Sequence, residues 1–567
     1  MASRLFRHLV DFSLVIASSV LLVLSFPSFN LGFLAWIGLL PLLIAINGKS
    51  LKNSFFLSLI CGAVFFFGVF YWILEVPKYV DVHESLLALY LGCVFGFFYF
   101  GSYFGFFGLA YTAVSKRLGI TQALFAAPFI WVSLEYIRSN LSFLSLPWAL
   151  LAHSQYQYPS VIQIVSLAGT YSISFLIVLV NSTLAAIIYP YFSKFSGQQI
   201  PPNLPLLKGG VTVSPFSKED RGRFRNDKGR ITLLATTASL IILTLIYGCI
   251  IISQPINGNR IKITLIQGNI EQVKKWDPRH ARDITQTYAD LTQGAAKDQP
   301  AIIIWPETST PGAINLIPKL YFELRETVKE AGTYLLLGSA QHQKFGEKGT
   351  TKPKYFNSAF LIDPQPKMVK QQRYDKIRLF PFGEYLPSKG IIPWSLIKVS
   401  GSDHYISGKE FTVFEHPDFR FGVIICWENV FPDLVRQFVN RGAQCIINLT
   451  NEAHFGKTAA PHQLVSISVF RAVENGVYVV RCANTGVSCI IDPYGRIVDR
   501  VKDERGQDIF IRGTMTGWVI PLDSKTIYTR YGDWLVWVAF IGSVVFLIVA
   551  WGRGMFKRKA DRASCKK

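Results

Sequence analysis

The chain has 567 residues, of which 50% are hydrophobic and 17% are charged, and its mean hydropathy is +0.30. This length exceeds one ordinary domain, and the composition is typical of a membrane protein rather than of a soluble one. The net charge of +21 does not indicate a nucleic-acid partner, because much of it lies in short segments beside apolar runs, as the positive-inside rule predicts.

The eight cysteines form neither a disulfide pattern nor a metal pattern. They are scattered along the chain, and none lies in a CxxC or His-rich spacing. A disulfide scaffold and a metal site are therefore not expected. Nothing in the sequence indicates a cofactor.

Eight apolar runs are long enough to be interpreted as transmembrane helices. Six lie within residues 1–192, the seventh covers 231–253 and the eighth covers 534–551. The sixth run can hold one long tilted helix or one helix with an interfacial lead-in. The first six runs fall at about 9–26, 31–47, 54–75, 86–113, 121–137 and 161–192.

An aromatic segment interrupted by proline, residues 139–159, separates the fifth and sixth runs. It has too few consecutive apolar residues to cross a bilayer, so it is expected to lie at the membrane interface. Trp148, Tyr156 and Tyr158 suit the headgroup level. An ordinary aromatic belt and a substrate-contacting loop are both compatible with this pattern.

The basic residues predict the orientation of the chain. The N-terminus, the short loops after the second and fourth runs, the loop 193–230 and the tail 552–567 are basic and belong on the cytoplasmic side. Eight spans then place both termini in the cytoplasm and the segment 260–517 in the periplasm of a bacterium, with the chain in the inner membrane. Arg138 is the exception, on a predicted outward loop.

The segment 260–517 is large enough for a complete soluble domain. Strand-like and helix-like runs alternate in it, and the strand-like runs are apolar throughout, which predicts an α/β layered fold with covered sheets. The expected strands are Ile261–Gln267, 301–305, 334–338, 359–363, 421–425, 445–449, 477–481 and 489–492. The expected helices are 279–296, 317–331, 432–441 and 461–475.

Four chemically distinctive side chains stand out in this domain, and two of them closely follow strand-like runs. Cys426 ends the run 421–425, Glu307 follows 301–305, and Lys376 and Glu384 lie in the segment 373–387. Taken singly, a packed cysteine, a helix cap and a surface salt bridge are the more common roles. Together they form a nucleophile, a base and a cation at strand ends, where sites in such folds lie.

These motifs resemble the nitrilase superfamily, whose fold is α-β-β-α layered. The resemblance covers residues 260–515. It rests on WPE at 305–307, YDK and PFGEY at 374–385 and CWE at 426–428, with GNI at 268–270, FNSA at 356–359, NLTNEAHFG at 448–456, PHQ at 461–463, RAVENG at 471–476 and ANTGVS at 483–488.

The combination of eight apolar runs with the PFGEY variant resembles the pattern of the apolipoprotein N-acyltransferase family. The membrane half resembles it at LEYIRSN (134–140), LPW (146–148) and GTYSISFLIVLVN (169–181). One segment departs from the family pattern, because Glu452 and His454 stand where the family usually has Asp and Trp. That departure concerns the local shape of the substrate pocket.

The resemblance implies a two-step acyl transfer. Glu307 would take the proton of the Cys426 thiol, and the thiolate would attack a phospholipid ester, typically of phosphatidylethanolamine. Lys376 and the backbone N–H of Trp427 would hold the oxyanion. The α-amino group of a diacylglyceryl-cysteine at a lipoprotein's N-terminus would then attack the thioester.

The resemblance also implies supporting roles for other residues. Glu384 and Glu428 are expected to support the three catalytic residues. The segment 381–401 is a candidate lid, membrane-dipping arm or packed loop, and a monomer is expected. The candidate substrate-binding residues are Trp276, Asn357, Trp427, Glu452 and His454.

Two alternative functions share this sequence pattern. A membrane-anchored amidase would use the same three residues and pass the acyl group of a small C–N substrate to water. A non-catalytic membrane scaffold with an inactive nitrilase domain is disfavoured, because Glu307, Lys376 and Cys426 are all present.

Overall fold

Long apolar helices form the first part of the chain and its last segment. The computed structural model describes residues 2–76, 86–141, 145–195, 228–275, 277–343, 354–365, 371–381, 383–385, 405–523 and 525–564. Seven helices in this part of the chain are long and apolar enough to cross a membrane: Phe6–Leu24, Leu51–Leu74, Val94–Leu118, Ile120–Asn140, Tyr171–Tyr189, Lys228–Ile252 and Trp534–Met555.

The predicted second span, 31–47, is an interrupted helix. It consists of the short pieces Gly32–Leu34, Ala35–Gly38 and Leu40–Ile46. The break is stabilised by Asn181, whose Oδ1 accepts hydrogen bonds of 2.9 Å from the backbone N–H groups of Leu39 and Leu40. The count of eight spans therefore stays a prediction at this segment.

The sixth predicted run is one helix with a lead-in. Two short helices, Pro159–Ile162 and Val165–Ala168, precede the long helix Tyr171–Phe195. Gly169 separates them with a φ of 73°, a backbone conformation that glycine adopts without strain. Of the two alternatives for residues 161–192, the structure shows the second.

The sequence predicted Arg138 on an outward loop, and the structure places it in a helix instead. It lies buried in the last turn of the helix Ile120–Asn140. Its guanidinium donates to the backbone carbonyls of Leu146 (2.9 Å) and Trp148 (2.8 Å) and lies 5.2 Å from the ring centroid of Phe66. A buried charge needs such acceptors. Arg138 therefore stabilises the loop that follows the helix, and its charge does not indicate the orientation of the chain in the membrane.

The described part of segment 260–517 contains two six-stranded mixed sheets. Their orders are β12-β1-β2-β3-β4-β5 and β11-β10-β9-β8-β7-β6. The strands are β1 Ile261–Gln267, β2 Ile302–Ile304, β3 Tyr334–His342, β4 Tyr355–Ile362, β5 Arg373–Asp375, β6 Val413–His416, β7 Phe419–Ile425, β8 Cys445–Thr450, β9 Tyr478–Ala483, β10 Cys489–Ile491, β11 Ile497–Arg500 and β12 Gly513–Val519.

The two sheets pack face to face, and helices cover their outer faces. The strands β1-β2-β3 and β7-β8-β9 are parallel, and every residue of β2, β8 and β9 is buried. Helices Ala281–Ala296 and Pro318–Ala331 cover the first sheet, and Pro432–Asn440 and Ala460–Asn475 cover the second. The predicted α-β-β-α layered fold is confirmed.

A buried glutamine joins the α-β-β-α domain to the apolar helices of the membrane domain. The side-chain oxygen of Gln463 accepts from the indole N–H groups of Trp72 (3.1 Å) and Trp148 (3.0 Å). Its amide nitrogen donates to the backbone carbonyls of Val69 (3.0 Å) and Pro27 (3.3 Å). Trp148 is therefore a packed residue at the domain seam, not a member of an exposed aromatic belt.

A buried ion pair reinforces the same seam. Arg471 and Glu474 on helix Ala460–Asn475 are joined by a 3.0 Å hydrogen bond, and both also bond to Thr170 of the membrane domain. The Thr170 N–H donates to Glu474 (3.0 Å), and its hydroxyl accepts from Arg471 (2.9 Å). Because each buried charge is paired and hydrogen-bonded, the seam has one defined geometry.

We expect Gln463→Leu to loosen the seam. The leucine leaves two buried indole N–H groups without acceptors, and each such group costs about 1–3 kcal/mol. The midpoint of thermal unfolding of the detergent-solubilised protein should fall by several degrees. Gln157→Leu, at an exposed glutamine of the membrane domain, is the control and should leave the midpoint unchanged. An unchanged midpoint for Gln463→Leu would contradict this account.

Candidate active site

Cys426 lies at a sharp turn where a buried strand ends. Strand β7 runs to Ile425, and the 3-10 helix Cys426–Val430 follows at once. Cys426 itself has a φ of 56°, which a residue with a Cβ adopts at a cost of about 1–2 kcal/mol. Its carbonyl accepts a 3.2 Å hydrogen bond from the Asn448 side chain. The strain is tolerated because the surrounding contacts fix the turn, as is common at functional sites.

Glu307, Lys376 and Glu384 form one buried charged cluster. The Lys376 ammonium is 3.4 Å from Glu307 Oε1 and 3.0 Å from Glu384. The side-chain amide of Asn357 on β4 donates to both carboxylates, at 2.7 Å to Glu307 and 2.8 Å to Glu384. The second oxygen of Glu307 accepts from the Asn451 backbone N–H at 2.7 Å. These hydrogen bonds and the shared ammonium fix Glu307 in position.

Glu428 connects the cysteine turn to the lysine segment. One oxygen accepts from the backbone N–H groups of Ile377 (2.7 Å) and Arg378 (2.9 Å), and the other accepts from that of Ile425 (2.7 Å). The Tyr374 hydroxyl donates at 2.9 Å to either oxygen. Burial raises the pKa of Glu428 to about 7, although the Arg378 and Ile425 hydrogen bonds oppose the shift. One side chain thus sets the distance between two catalytic candidates.

The electrostatics keep the thiol protonated at rest. Burial raises the pKa of Cys426 well above its ordinary value, and the Glu307 carboxylate raises it further, while Lys376 opposes both effects. Burial alone would lower the pKa of Lys376, but the carboxylates of Glu384 and Glu307 raise it. The site therefore holds a neutral thiol beside a permanent cation, and thiolate formation requires a base.

The sequence-predicted support residues lie around this cluster. Glu384 accepts a 2.7 Å hydrogen bond from the backbone N–H of Phe380. The Trp427 indole donates to the Arg378 carbonyl at 2.7 Å and packs against Phe380 and Phe431. Trp276 and most of the candidate lid 381–401 lie outside the described residues.

Glu452 and His454 lie in different surroundings. Glu452 is fully buried and ion-paired with Arg481, at 2.5 Å. His454 packs against Phe380, with ring centroids 6.1 Å apart. Burial and the Lys376 charge lower the pKa of His454 to about 4, so its ring is neutral at physiological pH. His454 therefore faces the catalytic cluster, whereas Glu452 has a structural partner.

Sequence reasoning missed Lys275. Its side chain is 2% exposed, and its ammonium donates to the Glu307 backbone carbonyl at 3.0 Å. The neighbouring Lys274 is instead exposed and paired with Glu271. No sequence signal distinguishes the two adjacent lysines, since the burial follows from how this turn packs on the sheet.

The fold and the charged cluster define a nitrilase-type domain carried by a membrane domain. Residues 262–512 match the sequence model of the carbon-nitrogen hydrolase family, and residues 18–183 match that of the apolipoprotein N-acyltransferase N-terminal domain. Together they cover most of the chain.

Full-length relatives identify the family. A Geobacter metallireducens protein named apolipoprotein N-acyltransferase is 33% identical, covering 96% of this chain and 96% of that one. A Chlorobaculum tepidum protein of the same name is 27% identical, covering 95% and 96%. A solved Nesterenkonia amidase of the nitrilase superfamily is 18% identical with a TM-score of 0.35, covering 48% of this chain and 95% of that one. The chain belongs to the apolipoprotein N-acyltransferase family of bacterial membrane enzymes.

We expect Glu428→Gln to reduce acyl transfer roughly 100-fold, the usual result of displacing reacting groups by about 1 Å. The glutamine amide nitrogen would face backbone N–H groups that now donate to a carboxylate oxygen, so the cysteine turn and the lysine segment would separate. Transfer from a labelled phospholipid to an acceptor peptide measures the effect. Glu415→Gln, at an exposed position on β6, is the control; equal rates for both variants would contradict the role of Glu428.

Proposed function

We propose that this protein transfers an acyl chain from a membrane phospholipid to the α-amino group of the diacylglyceryl-cysteine at a lipoprotein's N-terminus, through a thioester on Cys426. The observation that carries the proposal is the buried cluster of Glu307 and Lys376 beside a strained, uncharged thiol. A family of acyltransferases supplies the reaction class, and the geometry supplies a role for each residue.

The first half-reaction forms the thioester. Glu307 takes the proton of the Cys426 thiol, and the thiolate sulfur attacks the ester carbonyl carbon. Lys376 and the backbone N–H of Trp427 donate to the oxygen that becomes negative in the tetrahedral intermediate. The intermediate collapses when the C–O bond breaks, and Glu307 returns its proton to the leaving lysophospholipid oxygen.

The second half-reaction forms the amide. The neutral amine of the acceptor attacks the thioester carbonyl carbon, and the same donors hold the oxyanion. Glu307 accepts a proton from the attacking nitrogen and delivers it to the Cys426 sulfur as the C–S bond breaks. The thiol is restored. In each half-reaction Glu307 takes up one proton and gives it back, so a single carboxylate serves both steps.

The substrates require a site beside the membrane. Both are lipids anchored in a bilayer, and the seam at Gln463 and at Arg471–Glu474 fixes the catalytic domain against the membrane helices. A thioester also hydrolyses in water. Cys426, Glu307 and Lys376 are each no more than 6% exposed, which disfavours water as the acceptor. We further propose that the donor is phosphatidylethanolamine and that the enzyme acts as a monomer.

The basic segments support a proposed orientation of the chain. We propose that the chain lies in the inner membrane with both termini cytoplasmic and the catalytic domain periplasmic, because the basic tail 552–567 and the basic loop 193–230 belong on the cytoplasmic side. Lipoproteins that have been exported would then meet the site on the side where they emerge.

We expect a labelled phospholipid acyl chain to become attached to Cys426 in a hydroxylamine-sensitive bond. Cys426→Ser should lose this adduct and reduce transfer by roughly 10⁴-fold or more, as loss of a nucleophile typically does. Cys249→Ser, which removes an exposed cysteine of the helix Lys228–Ile252, is the matched control and should retain both. An adduct that persists in Cys426→Ser, or release of the label into water faster than into the acceptor peptide, would reject acyl transfer and favour the amidase alternative.

Labelling with a membrane-impermeant maleimide tests the orientation. In a chain lacking Cys249 and Cys565, Lys319→Cys places a thiol at an exposed position of the catalytic domain, and Arg553→Cys places one at the exposed C-terminal end of the last membrane helix. We expect Lys319→Cys to react in intact spheroplasts and Arg553→Cys to react after lysis. The reverse pattern would overturn the proposed orientation.

A further inference from the structure

The active site contains two buried lysines with opposite surroundings. Lys376 lies between the carboxylates of Glu307 and Glu384. Lys275 is 2% exposed, and within the described residues its ammonium has one hydrogen bond, to the Glu307 backbone carbonyl, and no ion pair. A buried ammonium without a carboxylate partner is strongly disfavoured relative to the neutral amine.

The chain turns sharply to create this contact. Thr308, directly after Glu307, has a φ of 45°, and Gly338 of β3 packs so closely that an added Cβ would lie 2.7 Å from the Glu307 Cα. The Glu307 backbone therefore has little freedom to move. Its carbonyl is held toward Lys275 while its side chain bonds to Asn357 and Lys376.

Burial lowers the pKa of Lys275 to about 7, and the Glu307 carboxylate, together with the Cys426 thiolate when it forms, opposes the shift. Within the described residues, the titratable groups that interact electrostatically with Lys275 are these two and His454, whose ring is neutral. A substantial fraction of Lys275 is thus a free amine near neutral pH, whereas Lys376 stays charged.

The second half-reaction needs a group of this kind. An α-amino group has a pKa of about 7.7–8.0, so the acceptor arrives largely as an ammonium that cannot attack. It must lose one proton before the attack and a second during it. Glu307 accommodates the second and returns it to the Cys426 sulfur. Glu384 is bound to Lys376 and Asn357, and Glu428 accepts three backbone hydrogen bonds, which leaves the first proton without an acceptor among these carboxylates.

We propose that Lys275, as a neutral amine, accepts the first proton from the acceptor's α-ammonium and so generates the nucleophile that attacks the Cys426 thioester. The N–H bond of the ammonium breaks and an N–H bond on Lys275 Nζ forms. Lys275 passes the proton to water between turnovers, and the overall reaction releases one proton. This role rests on the proposed function and deepens it.

Single-turnover kinetics on the full-length chain in detergent micelles test the role. A phospholipid with a labelled acyl chain loads Cys426, the acyl-enzyme is separated from free lipid, and a synthetic peptide beginning with diacylglyceryl-cysteine is added at pH values from 6 to 9. We expect Lys275→Met to slow transfer roughly tenfold at pH 7, because only about one acceptor amine in ten is then neutral, and to leave the rate of thioester formation within about twofold. The defect should largely disappear at pH 9, where the acceptor is already neutral.

Two variants sharpen the result. Lys275→Arg keeps the hydrogen-bond donor but cannot accept a proton, so it should show the same pH-dependent defect. Lys274→Met, at the exposed neighbour, should transfer at the wild-type rate. Wild-type transfer by Lys275→Arg, or a defect in Lys275→Met that is equal at every pH, would overturn the role and leave Lys275 as a structural donor. Absence of a thioester on wild-type Cys426 would instead overturn the proposed function itself.

Discussion

The net negative charge of the buried cluster governs the rest of the site. Two carboxylates, Glu307 and Glu384, share one ammonium, Lys376, away from solvent. Neutral donors offset the excess charge: the Asn357 amide bonds to both carboxylates, and the Asn451 N–H bonds to Glu307. Burial and the remaining field both favour a protonated Cys426, so in the proposed function the carboxylate that raises the thiol's pKa is also the group that removes its proton.

Two motifs that lie far from Cys426 have a structural role at the domain seam. Gln463 of the PHQ motif bonds to Trp72 and Trp148, and Arg471 and Glu474 of the RAVENG motif bond to Thr170. These side chains lie on helix Ala460–Asn475, which also covers the second sheet. A shift of the membrane helices would therefore be transmitted to the sheet whose strand β7 ends at the nucleophile.

The sequence predicted the sheet interiors and missed the edges. All eight expected strands exist, because strands buried on both faces are apolar throughout. The four unexpected strands β5, β6, β11 and β12 are the four edge strands, and their exposed polar residues obscure the pattern. The positions of Glu307 and Cys426 after β2 and β7 were predictable for the same reason, whereas Lys376 follows the missed edge strand β5 and was identified by its motif. Lys275 was not, because its burial depends on a turn whose sequence, with two adjacent lysines, is compatible with either side chain being inside.

Glu452 and His454, the two residues that depart from the expected family pattern, lie in different places relative to the charged cluster. Asn448 donates to the Cys426 carbonyl and accepts from Arg481, which is ion-paired with Glu452. Glu452 thus supports the cysteine turn through two intermediaries, and Gly486 packs directly on its carboxylate, so a larger residue there would displace it. His454 instead lies among the aromatic rings of Phe380 and Phe455 beside the cluster. At this position a neutral imidazole presents a smaller and more polar surface to the cluster than the tryptophan expected from the family resemblance would.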